Sequence, residues 1–206
     1  MSPSYRTESQ MRQRLAQEAA RILIESGSRD FAMAKRKAAE HLAASDTRCL
    51  PTNLEIEQAL AQYQRLFRAD NQPQTLKTLR EVAYQAMHFF RDFKPRLVGP
   101  VLSGTADVNT AITLHVFSNT YEDVSLLLIN NRIPFESMEK RLRLGHEQYE
   151  LFPCIVFYAE QQKVEVIVFP ENKQGLRPLS PIDNKPMQRA DITDVELLLN
   201  DAASID

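Results

Sequence analysis

The residues of this 206-residue chain best suited to chemistry lie in one stretch, Arg96-Leu97-Val98-Gly99-Pro100-Val101-Leu102-Ser103-Gly104-Thr105-Ala106. Asp107-Val108-Asn109-Thr110 joins it to a second β-rich run, Ala111-Ile112-Thr113-Leu114-His115-Val116-Phe117. A strand that ends in Ser103-Gly104-Thr105 offers backbone N–H groups and hydroxyls with little bulk around them, a surface that a phosphate can approach closely. The bland alternative is an ordinary hairpin or βαβ unit whose Ser-Gly makes a turn. Farther along, Glu165 interrupts the apolar run Lys163 to Phe169. Strand alternation puts Glu165, Ile167 and Phe169 on one face and Val164, Val166 and Val168 on the other, so Glu165 is either at the rim of a site or a solvent-facing edge residue. Lys173, Arg177, Lys185 and Arg189 fall in the proline-rich stretch 170–190, where a loop covering a ligand would bring cations to a phosphate and a plain loop would leave them solvated.

The order of these pieces resembles the core of the nucleotidyltransferase superfamily, the polymerase beta-like or minimal nucleotidyltransferase fold. Its pattern is an apolar residue, Gly, Gly or Ser, a spacer, and then a strand reading Asp, apolar, Asp or Glu, apolar. Val98 and Gly99 match the start, Pro100 stands where Gly or Ser is usual, and the strand positions fall on Ala111, Ile112, Thr113 and Leu114. Ala111 and Thr113 therefore replace the two metal-binding acids, and Glu165 falls about where the family carries a third. Such acids hold the divalent ions that align an NTP for in-line attack, and methyl and hydroxyl side chains do not.

The resemblance implies an α+β protein: a helical unit over residues 1–94, then a nucleotidyltransferase-like mixed β-sheet with flanking helices over 95–206. It implies a nucleotide held near Gly99, Ser103, Gly104, Thr105 and Thr113, with Lys173 and Arg177 reaching in from the loop and Glu165 as the one remaining catalytic acid. His115 is read as a pocket-lining residue that shares a face with Thr113 only if its strand is irregular. No residue is assigned to a metal. The function implied is binding of a nucleotide or nucleic acid with degraded or absent transferase chemistry. One alternative is an active NTP-dependent transferase, which would require Mg²⁺ and acids such as Asp107 or Asp123 in a different register. Another is a protein-interaction scaffold that binds no nucleotide. A Ser/His/Asp hydrolase is set aside, because neither Ser103 nor Ser118 sits in a nucleophile-elbow pattern.

Composition sets the wider limits. With 43% hydrophobic residues the chain can bury a proper core. Cys49 and Cys154 form no metal or disulfide spacing and read as reduced thiols. The start, Met1 to Gln13, has no apolar segment of signal-peptide type, and the longest apolar run is too short for a bilayer, so a cytoplasmic protein without membrane contact is expected. Residues 1–94 carry 15 basic and 11 acidic side chains, and residues 95–206 carry 10 and 16. That split suits a helical face meeting RNA or an acidic partner, and equally a helical surface of mixed charge.

The elements that must position the chemistry follow from periodicity. Met11, Leu15, Ala19, Ile22 and Leu23 form one stripe of a helix from about Glu8 to Ser26, stopped by Gly27. Asp30 precedes a second helix with Phe31, Ala34, Ala38 and Leu42 inward; Thr52 and Glu55 have capping-box spacing for a third with Ile56, Leu60 and Tyr63 inward. A fourth runs from about Gln74 to Arg91 with Leu76, Leu79, Ala83, Met87 and Phe90 inward, and Lys94-Pro95 ends it. A helix from Tyr121 to Asn131 follows, then an edge strand, then a hairpin of Tyr149–Ala159 and Lys163–Phe169. Four prolines make 170–190 an extended surface segment, and Thr193 with Glu196 reads as the capping box of a short last helix.

Overall fold

A computed structural model describes residues 3–26, 29–44, 49–67 and 72–203. Among these the chain is α+β, with seven α-helices and a five-stranded mixed, open sheet. Gly27, the expected stop of the first helix, lies outside the described residues.

Three helices form one compact unit together with residues 181–183: α1 (Pro3–Ser26), α2 (Phe31–His41) and α3 (Asn53–Phe67). Leu15, Ala19, Ile22 and Leu23 of α1 are buried against Phe31, Ala34 and Ala38 of α2 and Ile56 and Leu60 of α3. Each helix thus buries the stripe its sequence repeats. The starts are fixed locally. The Asp30 side chain accepts from the Met33 N–H at 2.9 Å, and Thr52 and Glu55 close a reciprocal box, with Thr52 N to Glu55 Oε2 at 2.6 Å and Glu55 N to Thr52 Oγ1 at 3.2 Å.

The second unit contains α4 (Gln72–Phe89) from Pro73 onward and the rest of the chain apart from 181–183. The sequence predicts a helical unit ending at residue 94; the packing instead groups α4 with the sheet. Leu79, Val82, Ala83, Met87 and Phe90 join the core formed by Leu97, Leu114, Val166 and Phe157, which explains why α4 repeats a broad apolar stripe. Burial of each of these side chains larger than alanine contributes on the order of 1.5–3 kcal/mol before conformational entropy is subtracted.

The sheet is built from β1 (Arg96–Val98), β2 (Ile112–Phe117), β3 (Phe135–Arg143), β4 (Tyr149–Ala159) and β5 (Gln162–Phe169). In the order β1-β2-β5-β4-β3, β2 and β5 are parallel and every other neighbour pair is antiparallel. Glu160 and Gln161 join β4 to β5 with φ of 49° and 67°, the mirror-image turn that suits strand twist even without glycine. One sheet face carries Leu97, Ile112, Leu114, Val116, Val164, Val166 and Val168 and packs in one core with α4, Val101 of α5 (Pro100–Ser103), Val124 and Leu128 of α6 (Tyr121–Asn130) and Val195 of α7 (Ile192–Ala203).

The other face carries Phe117, Phe152, Cys154, Val156, Ile167 and Phe169, with Leu142, Leu144 and Leu176 packed against them. Its cover is the expected extended segment after Pro170, here a strap. The strap is tied to one sheet edge by Leu179 N to Arg143 O (2.6 Å) and to the other by the paired bonds of Ala190 and Leu97 (2.8 and 3.0 Å). α7 follows at once. Its reciprocal cap is Asp191 with Asp194, at 2.9 and 3.0 Å, two residues earlier than the Thr193 and Glu196 box the sequence suggests. Asp191 wins because the bridge at Ala190 fixes where the extended chain must turn.

Candidate functional site

The stretch 99–105 does not end a strand. Gly99 adopts φ 75°, ψ −154°, a backbone that essentially only glycine takes, and the chain enters the single turn α5. Gly104 closes it in the left-handed region at φ 83°. The N–H groups of Ser103, Gly104 and Thr105 all donate to the carbonyls of Gly99 or Pro100, at 2.9–3.0 Å. These are the donors that a phosphate-binding turn would offer, so the turn's backbone is spent on its own helix. Ser103 Oγ and Thr105 Oγ1 lie 3.1 Å apart, bonded to one another. From behind, Arg80 of α4 donates to the carbonyls of Val101 and Leu102, at 3.2 and 3.3 Å, the orphan acceptors at the end of α5. Burial of the Arg80 guanidinium lowers its pKa.

Three strands bring the motif positions into line. Val98 of β1 is in register with Thr113 of β2, and Thr113 with Glu165 of the parallel β5. Partners in register share a sheet face, so Thr113 and Glu165 stand side by side. Glu165 is 8% exposed and holds two ammonium groups: Lys140 Nζ at 2.5 Å from Oε2 and Lys163 Nζ at 2.9 Å from Oε1. Burial works to raise the carboxyl's pKa, but the hydrogen bonds from the two lysines outweigh it and the group is held below its ordinary value. Lys163 is raised in turn, chiefly by that hydrogen bond. Burial raises the neighbouring Cys154 thiol to about 11, with Glu165 adding to the effect.

One register step farther along the same face stands His115, fully buried. β2 is regular, and a period of two places Thr113 and His115 on one face without any irregularity; the expectation that an irregular strand would be needed is corrected. Arg189 of the strap donates from Nε to His115 Nδ1 at 3.1 Å and from Nη1 to the Gln174 carbonyl at 2.9 Å. Its guanidinium carbon lies 5.2 Å from the ring centres of both Phe117 and Phe169, and the His115 ring centre is 4.7 Å from that of Phe169. Burial first, and Arg189 second, push the His115 pKa down to about 3, so the ring is neutral. Arg189 is itself lowered to about 10 by burial and by Arg177 and Arg96. Arg96 is His115's register partner on β1.

The neutral ring accepts at Nδ1 and so carries its proton on Nε2. His115 Nε2 and Arg189 Nη2 are both buried, and neither has a hydrogen-bond partner. Of the loop cations named from the sequence, Arg177 is exposed, and Lys173 reaches Glu150 at 2.5 Å beside the Phe152 ring. Thr113, His115 and Glu165 therefore share one face with Arg189, Lys140 and Lys163, whereas Ser103, Gly104 and Thr105 form a separate, internally bonded turn. Lys163 is two residues before Glu165, so alternation alone places both on one face. Lys140 comes from another strand and is placed only by the register, and in the sequence Arg189 is one of four equivalent loop cations.

Among the described residues no group of three or more His, Cys, Asp or Glu side chains is arranged to hold a metal ion, and no helix is long and apolar enough to cross a membrane. No family model, curated protein or solved structure matches this chain.

Proposed function

We propose that this chain is a nucleotidyltransferase-like protein that binds the phosphate-bearing part of a nucleotide or nucleic acid and has lost metal-dependent transfer. The observation that carries this reading is Glu165, clamped between Lys140 and Lys163 beside Thr113. A carboxylate committed to two ammonium groups has little charge left to draw Mg²⁺ from water, and Thr113 brings none. An ammonium needs no set of oxygen ligands, and each lysine keeps donors beyond the one that reaches Glu165. Positive charge thus stands at this face without a metal.

The element order supports the reading too. Strand, one-turn helix, strand and helix are followed by a strand parallel to the second that carries the acid. Mutation of the lysines tests it. Lys140→Met and Lys163→Met each weaken nucleotide binding several-fold at low salt, in line with the roughly 1 kcal/mol that one partly exposed cation contributes. Nucleotide affinity unchanged in both variants would remove the lysines from the site and this reading with them.

A further inference from the structure

We propose that the outer edge of β3 is an interface with a second copy of this chain, the two strands pairing antiparallel about a two-fold axis through Met138. The proposal goes beyond the nucleotide reading and does not depend on it.

Main-chain direction carries the inference. Leu144 N donates to Gln148 O at 2.8 Å, which extends the β3–β4 register by one bonded pair. Bonded and unbonded pairs alternate along an antiparallel ladder. The even-numbered residues of β3 therefore spend their main-chain groups on β4, and the odd-numbered ones turn theirs outward. Two further observations agree. The Arg143 carbonyl accepts from Leu179 N of the strap, and Pro153, which has no N–H, stands opposite odd-numbered Glu139. Among the described residues no bond reaches the outward main-chain groups of Phe135, Ser137, Glu139 or Arg141. Residues 136–139 and 141 are exposed. At the opposite edge of the sheet, Leu97 of β1 already exchanges paired bonds with Ala190. An open edge is a template for another strand, and with the other edge closed the addition stops at two copies.

Charge and register select the occupant. Charged side chains usually guard such an edge against pairing, but here their order fits the strand to itself. A two-fold axis perpendicular to the sheet sets like face against like face, so opposed residues have numbers of the same parity. Centred on Met138, the pairing sets Glu136 opposite Lys140 of the second copy, Ser137 opposite Glu139 and Phe135 opposite Arg141, each twice over. Every outward group of the four odd-numbered residues then has a partner, and Met138, 40% exposed, meets its own copy on the axis. Lys140 holds Glu165 through one of its three donors and keeps the others for Glu136. Other registers fit worse. Centring on Glu139 opposes two carboxylates and centring on Lys140 opposes two ammonium groups; both also bring the second copy against Arg143, whose carbonyl is taken. Centring on Ser137 leaves Arg141 unpaired. An edge this short buries less than the roughly 800 Å² per partner of a standard interface, so the dimer is a weak, reversible one.

The test is sedimentation velocity of the full chain from about 5 to about 500 μM at low salt, with disulfide trapping to read the register. The expected result is a monomer–dimer equilibrium that Glu136→Lys weakens at least ten-fold and Glu139→Pro abolishes, since the proline removes an outward N–H and leaves the bonds to β4 in place. Both side chains are exposed, and an unchanged thermal midpoint at the lowest concentration checks that each variant is folded. Should Glu139→Pro lower that midpoint, Glu136→Lys alone decides. Met138→Cys should crosslink under mild oxidation with diamide, because opposed Cα atoms of an unbonded pair lie about 4.5 Å apart, within disulfide reach. Cys49 and Cys154 are buried, so the wild type supplies the blank. A chain that stays monomeric throughout, or a dimer that survives Glu136→Lys in folded protein, overturns the proposal. A crosslink in Glu139→Cys in preference to Met138→Cys overturns the register and the charge argument with it.

Discussion

Thr113 and Glu165 are direct neighbours in the parallel ladder of β2 and β5, and the carboxylate beside that hydroxyl is neutralised by lysines from β3 and β5. A position that resembles a metal-binding centre in sequence is therefore, in three dimensions, a carboxylate locked to two cations. Its consequences can be measured.

Glu165→Gln should destabilise the sheet unit. The amide keeps the shape and loses the charge that both ammoniums face, which leaves Lys140 and Lys163 to repel one another. Both lysines are more than a third exposed, so water and salt screen much of the effect and the loss is about 1–2 kcal/mol. Thermal denaturation should show a fall of a few degrees that shrinks in high salt. Because the carboxyl's pKa is lower folded than unfolded, its contribution is present above the ordinary carboxylate range and disappears as pH falls through the folded value.

His115 gives a pH signature of opposite chemical origin. The buried ring stays neutral to about pH 3, whereas the unfolded chain protonates it near 6.5. Between those values the unfolded state holds the extra proton, so stability falls as pH falls, by at most about 1.4 kcal/mol per pH unit. Denaturant midpoints of the wild type and His115→Gln measured from pH 7 to 4 should converge as pH drops, since only the wild type carries this term. Parallel curves would mean that the ring is solvated.

The two glycines of the turn should respond differently to alanine. Gly104→Ala puts a Cβ at φ 83°, 3.7 Å from Leu76 Cδ2, an ordinary contact, and costs about 1 kcal/mol of backbone energy. Gly99→Ala meets nothing within 4 Å but must hold φ 75° with ψ −154°, which costs about 1–3 kcal/mol. Equal losses in urea melts would contradict the backbone described for Gly99.

Arg80→Met should loosen α5 without touching the sheet face. It removes two hydrogen bonds to the carbonyls of Val101 and Leu102 and keeps most of the aliphatic stem, for a loss of about 1–2 kcal/mol. Nucleotide affinity should be unaltered in this variant, because the turn's N–H groups are already bonded to the carbonyls of Gly99 and Pro100.

Periodicity carried most of the fold. The stripes of α1 to α4, the Thr52 and Glu55 box, the hairpin of β4 and β5 and the two faces of β5 are all local patterns, and each is present as read. Long-range pairing was not legible. That β5 inserts between β2 and β4, that α4 belongs with the sheet and that Lys140 meets Glu165 all depend on contacts between residues distant in sequence. The strand expected to end in the small-residue turn is a one-turn helix for a physical reason: Ser-Gly-Thr suits both a strand end and the end of such a helix, and Pro100 at its first position favours the helix. His115 and Arg189 lie 74 residues apart, and only the strap crossing the sheet brings them together.

The most direct test of metal-free phosphate binding is isothermal titration of the wild type with ATP, CTP, GTP and UTP, each in Mg²⁺ and then in EDTA. The expected result is binding of at least one nucleotide that persists in EDTA and weakens as salt rises. Binding that collapses in EDTA would contradict it and restore a metal-dependent transferase; no binding to any of the four would contradict the nucleotide reading itself.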